Sequence, residues 1–215
     1  MNKYFKKSLN HNIKINMYNG YTPYQSQERE IKALTIINEV IKNKECNSCI
    51  NYKDHFPQLL EVKKNKYIIT THQGIDLQML KRTNKRIFVK NLNQQIINIY
   101  KILKESNISH LDINENGKNI CITNDGILSL IDFDIVHFKN TDNQRTLNHK
   151  MINRIFSFRY CNSLIDFYKL ITKIVNNCQN IIIIPEEIKE EIEEETEPVQ
   201  SKTGSKNQSI QIKFE

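Results

Sequence analysis

The 215-residue sequence predicts an α+β fold. Two observations carry that expectation. Apolar residues recur at helical spacing in three segments, and two short strand-like runs, NICIT and ILSLID, are joined by a turn signal that makes them a hairpin.

In chain order, HNIKINMY (residues 11–18) alternates, placing Ile13, Ile15 and Met17 on one strand face and Lys14 on the other. GYTPYQS is turn-prone and offers Ser26 as a helix N-cap. In the following QEREIKALTIINEVIKN, apolar positions 31, 34, 37 and 40 or 41 describe an amphipathic helix. A polar segment with Cys46 and Cys49 comes next, then an apolar pair in QLLEV, then KYIITT, a buried strand ending near Thr71. A second helix is expected from Ile87 to Glu105, with Ile96, Ile99, Tyr100 and Leu103 forming its core-facing stripe. Between NICIT and ILSLID, Asn124-Asp125-Gly126 carries the Asp-Gly signal of a tight turn. Another helical pattern surrounds SLIDFYKLITKIV, within residues 150–177. Residues 185–215 have too little apolar content to fold alone and read as an acidic, disordered tail.

The chain is long enough to bury a core without disulfides or metals, as one domain or two small ones. Its richness in Ile, Lys and Asn is what AT-rich coding produces, so the net charge of +7 is not taken as a sign of nucleic-acid binding. The run KRTNKR, Lys81 to Arg86, lacks interleaved aromatics and reads as a solvated loop. The tail holds nine Glu against four Lys, which leaves +12 on residues 1–184. A basic body suits anionic ligands such as nucleotides, and equally plain solubility. Five cysteines without a signal peptide argue for a soluble protein in the reducing cytoplasm, and no apolar run approaches bilayer length. Cys46-x-x-Cys49 has no second pair and reads as incidental thiols rather than a zinc site; Cys121 reads as core.

The polarity of HLDINENGKNICITNDGILSLIDFD, His110 to Asp134, is the main functional signal. Asn119 immediately precedes the first hairpin strand and Asp132 ends the second, so both can project toward one point, with Asp112 in the loop just before. Two carboxylates and an amide at strand ends form a hard-oxygen site suited to Mg²⁺ with phosphates, together with a proton acceptor.

These residues resemble the catalytic and metal loops of the protein-kinase-like fold: His110-Leu111-Asp112, Asn119 before a short strand, and Asp132-Phe133-Asp134, thirteen residues beyond Asn119. The resemblance implies a two-lobed domain over residues 1–180, with a truncated N-lobe to about 72 and a reduced helical C-lobe from about 73. It implies an ATP-dependent phosphotransferase moving the γ-phosphate to a Ser or Thr hydroxyl. Asp112 would orient the acceptor and accept its proton, Asn119 and Asp132 would hold Mg²⁺, and His110 would brace the loop. Glu30, in REIKAL, would pair with Lys14, the lysine holding the phosphates of ATP. Thr70, Thr71, His72 and Gln73 would form the hinge that meets adenine through backbone groups.

The departures from the pattern are specific. Seven positions separate Asp112 from Asn119 against the usual five, so Asn114 and Asn116 compete with Asn119 for the metal. Residues 1–13 contain no Gly, so no glycine-rich loop precedes Lys14; Asp134 stands where the family has glycine, and no Ala-Pro-Glu follows. The alternatives are therefore a catalytically weak pseudokinase acting as a scaffold, or a kinase of a sugar or other small molecule.

Overall fold

A computed structural model describes residues 4–9, 21–45, 51–141 and 163–185. Within them the chain is α+β. Strand β1 (Tyr4–Ser8) is followed by helix α1 (Pro23–Glu45), a 3₁₀ turn at Lys53–His55, and strands β2 (Leu59–Lys63) and β3 (Tyr67–Thr71). Next come β4 (Ile75–Asp76), the one-turn helix α2 (Leu77–Leu80), β5 (Ile87–Val89), α3 (Leu92–Glu105) and β6 (Ile108–His110). The hairpin β7 (Ile120–Ile122) and β8 (Leu128–Leu130), then β9 (Val136–Phe138), α4 (Leu164–Asn176) and β10 (Ile181–Ile183), complete the described elements.

The strands pair in four small groups: an antiparallel sheet in the order β1-β3-β2, another in the order β4-β7-β8, an antiparallel pair β6-β9, and a parallel pair β5-β10. The first sheet brings the N-terminal strand against the strand that leads into the expected hinge, with Phe5 opposite Thr70 and Lys7 opposite Ile68. Since alternate residues share a strand face, Phe5 and Lys7 lie on the same side.

Helix α1 starts earlier than its sequence suggests. Thr22 is the capping residue: its hydroxyl accepts from the Gln25 amide at 3.2 Å, and the Gln25 side chain accepts from the Thr22 amide at 2.9 Å, while Pro23 opens the helix. Ser26 is buried inside the first turns. The expected stripe holds, with Leu34, Ile37 and Ile41 buried against α3, β2 and β9. The second helix is shorter than expected. Ile87–Val89 form β5, and Asn91, at φ +51°, separates that strand from α3. The predicted stripe of α3 is buried, and Tyr100 meets Phe167 of α4 with ring centroids 5.6 Å apart. Ile181–Ile183, too short to draw notice in the sequence, pair with β5.

Buried side chains of α1, Phe56, α3, the β7–β8 hairpin, Phe133 and α4 form one continuous apolar cluster. His55 is buried at its margin, Nδ1 lying 2.7 Å from the Leu128 carbonyl, and burial lowers its pKa so that the ring stays neutral. The 150–162 part of the third helical segment, Cys46, Cys49, the strand predicted over 11–18 and the tail beyond 185 lie outside the described residues.

Gly74 joins β3 to β4 at φ +94°, and a Cβ there would overlap the Ile122 carbonyl oxygen. Both the left-handed backbone and the close approach demand glycine. Gly74→Ala should destabilise the fold by about 2 to 3 kcal/mol, read as a lower urea midpoint with an unchanged slope.

Candidate functional site

Between the β1-β3-β2 sheet and the β4-β7-β8 sheet runs a cleft of about 650 Å³. Lys7, Glu30, the segment Thr70–Gln73, Asn119 and Asp132 all line it. Phe5, Ile68, Ile75, Met79, Cys121 and Ile131 supply apolar walls.

The hairpin positions two of the polar groups. Asn119 and Asp132 flank β7 and β8, whose Ile120 and Leu130 are opposite one another, and the Ile131 amide donates to the Asn119 carbonyl at 3.1 Å. Both turn the chain with left-handed backbones, φ +72° and +64°, a conformation that Asn and Asp tolerate better than other side-chain-bearing residues. The Asn119 amide nitrogen donates to the Asp112 carboxylate at 2.9 Å and to its carbonyl at 3.0 Å, which fixes the orientation of the amide. Asp112 is thereby held beside the cleft, half-buried, without lining it. Neither competing amide lines the cleft, and the Asn116 side chain accepts from the Lys118 amide.

His110 is fully buried and braces this loop as expected. Its Nε2 donates to the Ile131 carbonyl at 2.9 Å, while Nδ1 accepts from the Asp112 amide at 3.2 Å. The ring packs edge-on against Phe133, centroids 4.9 Å apart, and Phe133 in turn meets Phe56. Phe133 thus seats the second corner of the hairpin in the core while Asp132 faces the cleft.

The lysine that meets Glu30 is Lys7. Its Nζ lies 2.8 Å from Glu30 Oε2 and 2.5 Å from Asp132 Oδ1. Lys14, to which that role was assigned from the sequence, lies outside the described residues. Lys7 was missed because YFKKS lacks the apolar alternation of a strand: its apolar residues are only Tyr4 and Phe5, both more than half exposed. The signal that could have found it is the i, i+2 pair Phe5 and Lys7 in a short run ahead of the turn-prone GYTP.

Electrostatics follow from this triangle. Burial works against the Lys7 ammonium, but Glu30, Asp132 and Asp134 outweigh it and hold its pKa above the ordinary value, so it stays charged. Burial pushes the Glu30 carboxyl up, against the pull of Lys7. For Asp132, burial is overcome by Lys7, with help from Lys118, and the carboxyl is held below its usual range. Asp134 is pushed up to about 7 by burial and by neighbouring Asp132, and its Oδ1 is buried without a hydrogen-bond partner among the described residues. Cys121, on the cleft floor, is held as a neutral thiol by burial, which pushes it up to about 12.

Among the described residues no cluster of three or more His, Cys, Asp or Glu side chains has the arrangement of a metal cage. The donor set instead fits an ion that shares its coordination with a ligand. One carboxylate, Asp132, and one amide oxygen, Asn119, are hard donors of the kind Mg²⁺ accepts when phosphates and water complete its shell. No protein-family model matches this sequence, and no curated protein matches it.

Because the Glu30 side chain is only 7% exposed, removing its counter-charge leaves a carboxylate in a poor solvent. Lys7→Met should cost about 2 kcal/mol of stability, below the range for fully enclosed pairs since Lys7 itself is 38% exposed. Lys7→Met combined with Glu30→Leu should recover most of that loss in chemical denaturation.

Proposed function

We propose that this protein is a divergent, protein-kinase-like phosphotransferase that binds Mg²⁺ and ATP in the cleft and transfers the γ-phosphate to a hydroxyl acceptor, a Ser or Thr side chain in the leading case. The observation that carries the reading is the meeting of Lys7, Glu30 and Asp132, with Asn119 lining the same cleft and Asp112 bonded to it. On this reading the sheet and α1 form a small N-terminal lobe, the helices and the hairpin form the other, and the cleft lies between them.

The roles follow from the chemistry of each group. The Thr70–Gln73 segment and the apolar walls receive adenine, and Gly74 keeps the chain close to β7 behind it. Lys7, fixed by Glu30, presents a permanent positive charge to the phosphates. Mg²⁺ held by Asn119 and Asp132 would neutralise phosphate charge as it moves to the leaving group. Asp112, oriented by the Asn119 amide and the His110 ring, accepts the proton of the attacking hydroxyl. Catalysis of this kind rests on positioning and charge stabilisation.

A second reading, a nucleotide-binding module without efficient transfer, is favoured by the direct bond from Lys7 to Asp132 Oδ1, which engages an oxygen that would otherwise face a cation. The two separate in one assay. Radiolabelled γ-phosphate transfer should be measured to a casein–histone mixture and to sugar acceptors. The wild type should transfer label, and Asp112→Ala should lower turnover by about 10²- to 10⁴-fold with ATP affinity little changed. Undiminished transfer by Asp112→Ala would remove Asp112 from the mechanism; ATP binding with no transfer to any acceptor would favour the binding module.

A further inference from the structure

The loop Asn114–Lys118 is built rather than slack. Ile113 anchors its start in the core, and the Gly117 amide donates to the Asn114 carbonyl at 3.1 Å. Gly117 takes φ +83° and lies so close to α2 that an added Cβ would stand 2.8 Å from the Leu77 Cβ and 3.4 Å from Ile174 of α4. Glu115 pairs with Lys173 of α4 at 2.8 Å, and Lys81, just after α2, reaches the Asn116 carbonyl at 3.5 Å. The next residue, Lys118, has its amide bonded to the Asn116 side chain at 2.8 Å, and it lines the cleft beside Asn119.

The charges of the cleft are unevenly committed. Lys7 is engaged by Glu30 and Asp132, and Lys85 by the Asn124 side chain. The Lys118 ammonium has no hydrogen-bond or ion-pair partner among the described residues, although it is near enough to Asp132 to influence that carboxyl. An uncommitted cation on a fixed backbone, next to a hard-oxygen pair, matches an anion that carries its own cation.

We infer that Lys118 is a second phosphate-contacting residue of the cleft, gripping the terminal phosphates of the nucleotide from beside Asn119. The inference rests on the nucleotide reading above and adds to it a second cation. Lys7 stands on β1 and Lys118 in the loop before β7, so together they hold the phosphate chain at two points, and a nucleotide with fewer phosphates loses the Lys118 contact first.

Calorimetric titration of Mg²⁺·ATP, Mg²⁺·ADP and adenosine into wild type, Lys118→Gln and Lys118→Arg tests this. Wild type should prefer ATP over ADP. Lys118→Gln should weaken ATP binding about tenfold, as for loss of one charge-assisted hydrogen bond, and should erase that preference while leaving adenosine binding unchanged. Lys118→Arg should restore the preference, which a merely structural role would not require. Equal ATP affinity and an intact ATP-over-ADP preference in Lys118→Gln would overturn the assignment of Lys118 alone. Failure of the wild type to bind any of the three would overturn the nucleotide reading beneath it.

Discussion

The Lys7 ammonium lies between two carboxylates from distant parts of the chain, Glu30 in the second turn of α1 and Asp132 at the end of the hairpin. A buried carboxylate such as Glu30 is costly without a counter-charge, so the edge strand that carries Lys7 has an electrostatic reason to stay on the sheet beyond its few backbone bonds. That one contact therefore fixes three things at once: the position of β1, the approach of α1 and the orientation of Asp132. The sheet, the helix and the hairpin are thus tied together within the lining of the cleft.

The hairpin supplies the other constraint. Its two corners, Asn119 and Asp132, both adopt left-handed backbones, and both are residue types that do so at modest cost. Burying Phe133 against His110 and Phe56 holds the second corner down while the adjacent Asp132 faces outward. The same short segment thus contributes to the core through alternate residues and to the cleft through their neighbours. Asp134 shows the tension in this arrangement: a third carboxyl close to Asp132 and Glu30, partly buried, binds its proton far more tightly than an exposed aspartate.

Much of this was legible in the sequence, and where it was not, the reason is physical. The hairpin was legible because strand alternation, an Asp-Gly turn and polar corners all point the same way. The stripes of α1 and α3 were legible from their spacing, and Thr70–Gln73 proved to border the cleft at the end of the strand drawn from KYIITT. The start of α1 was misplaced because Ser26 looks like a cap in isolation, whereas Thr22 wins through its reciprocal bonds with Gln25. Ile87–Val89 were drawn into the helix since a three-residue strand has no period of its own; they are held as strand by Ile181–Ile183, nearly a hundred residues later. Lys7 was hidden for a related reason: its strand is polar and exposed, and only pairing with Tyr67–Thr71 defines it.

On the proposed reading, Lys7, Asn119 and Asp132 line the part of the cleft where a cation and phosphates would bind together. Thermal melting with ATP, in Mg²⁺ and in EDTA, tests it most directly, because a ligand that binds only the folded state raises the melting temperature. For the wild type a saturable rise with ATP that requires Mg²⁺ is expected, and Asp132→Asn, which keeps the shape but removes the charge, should lose the Mg²⁺-dependent part. A wild-type melting temperature that is indifferent to millimolar Mg²⁺·ATP, or an Asp132→Asn protein that responds as the wild type does, would contradict the account.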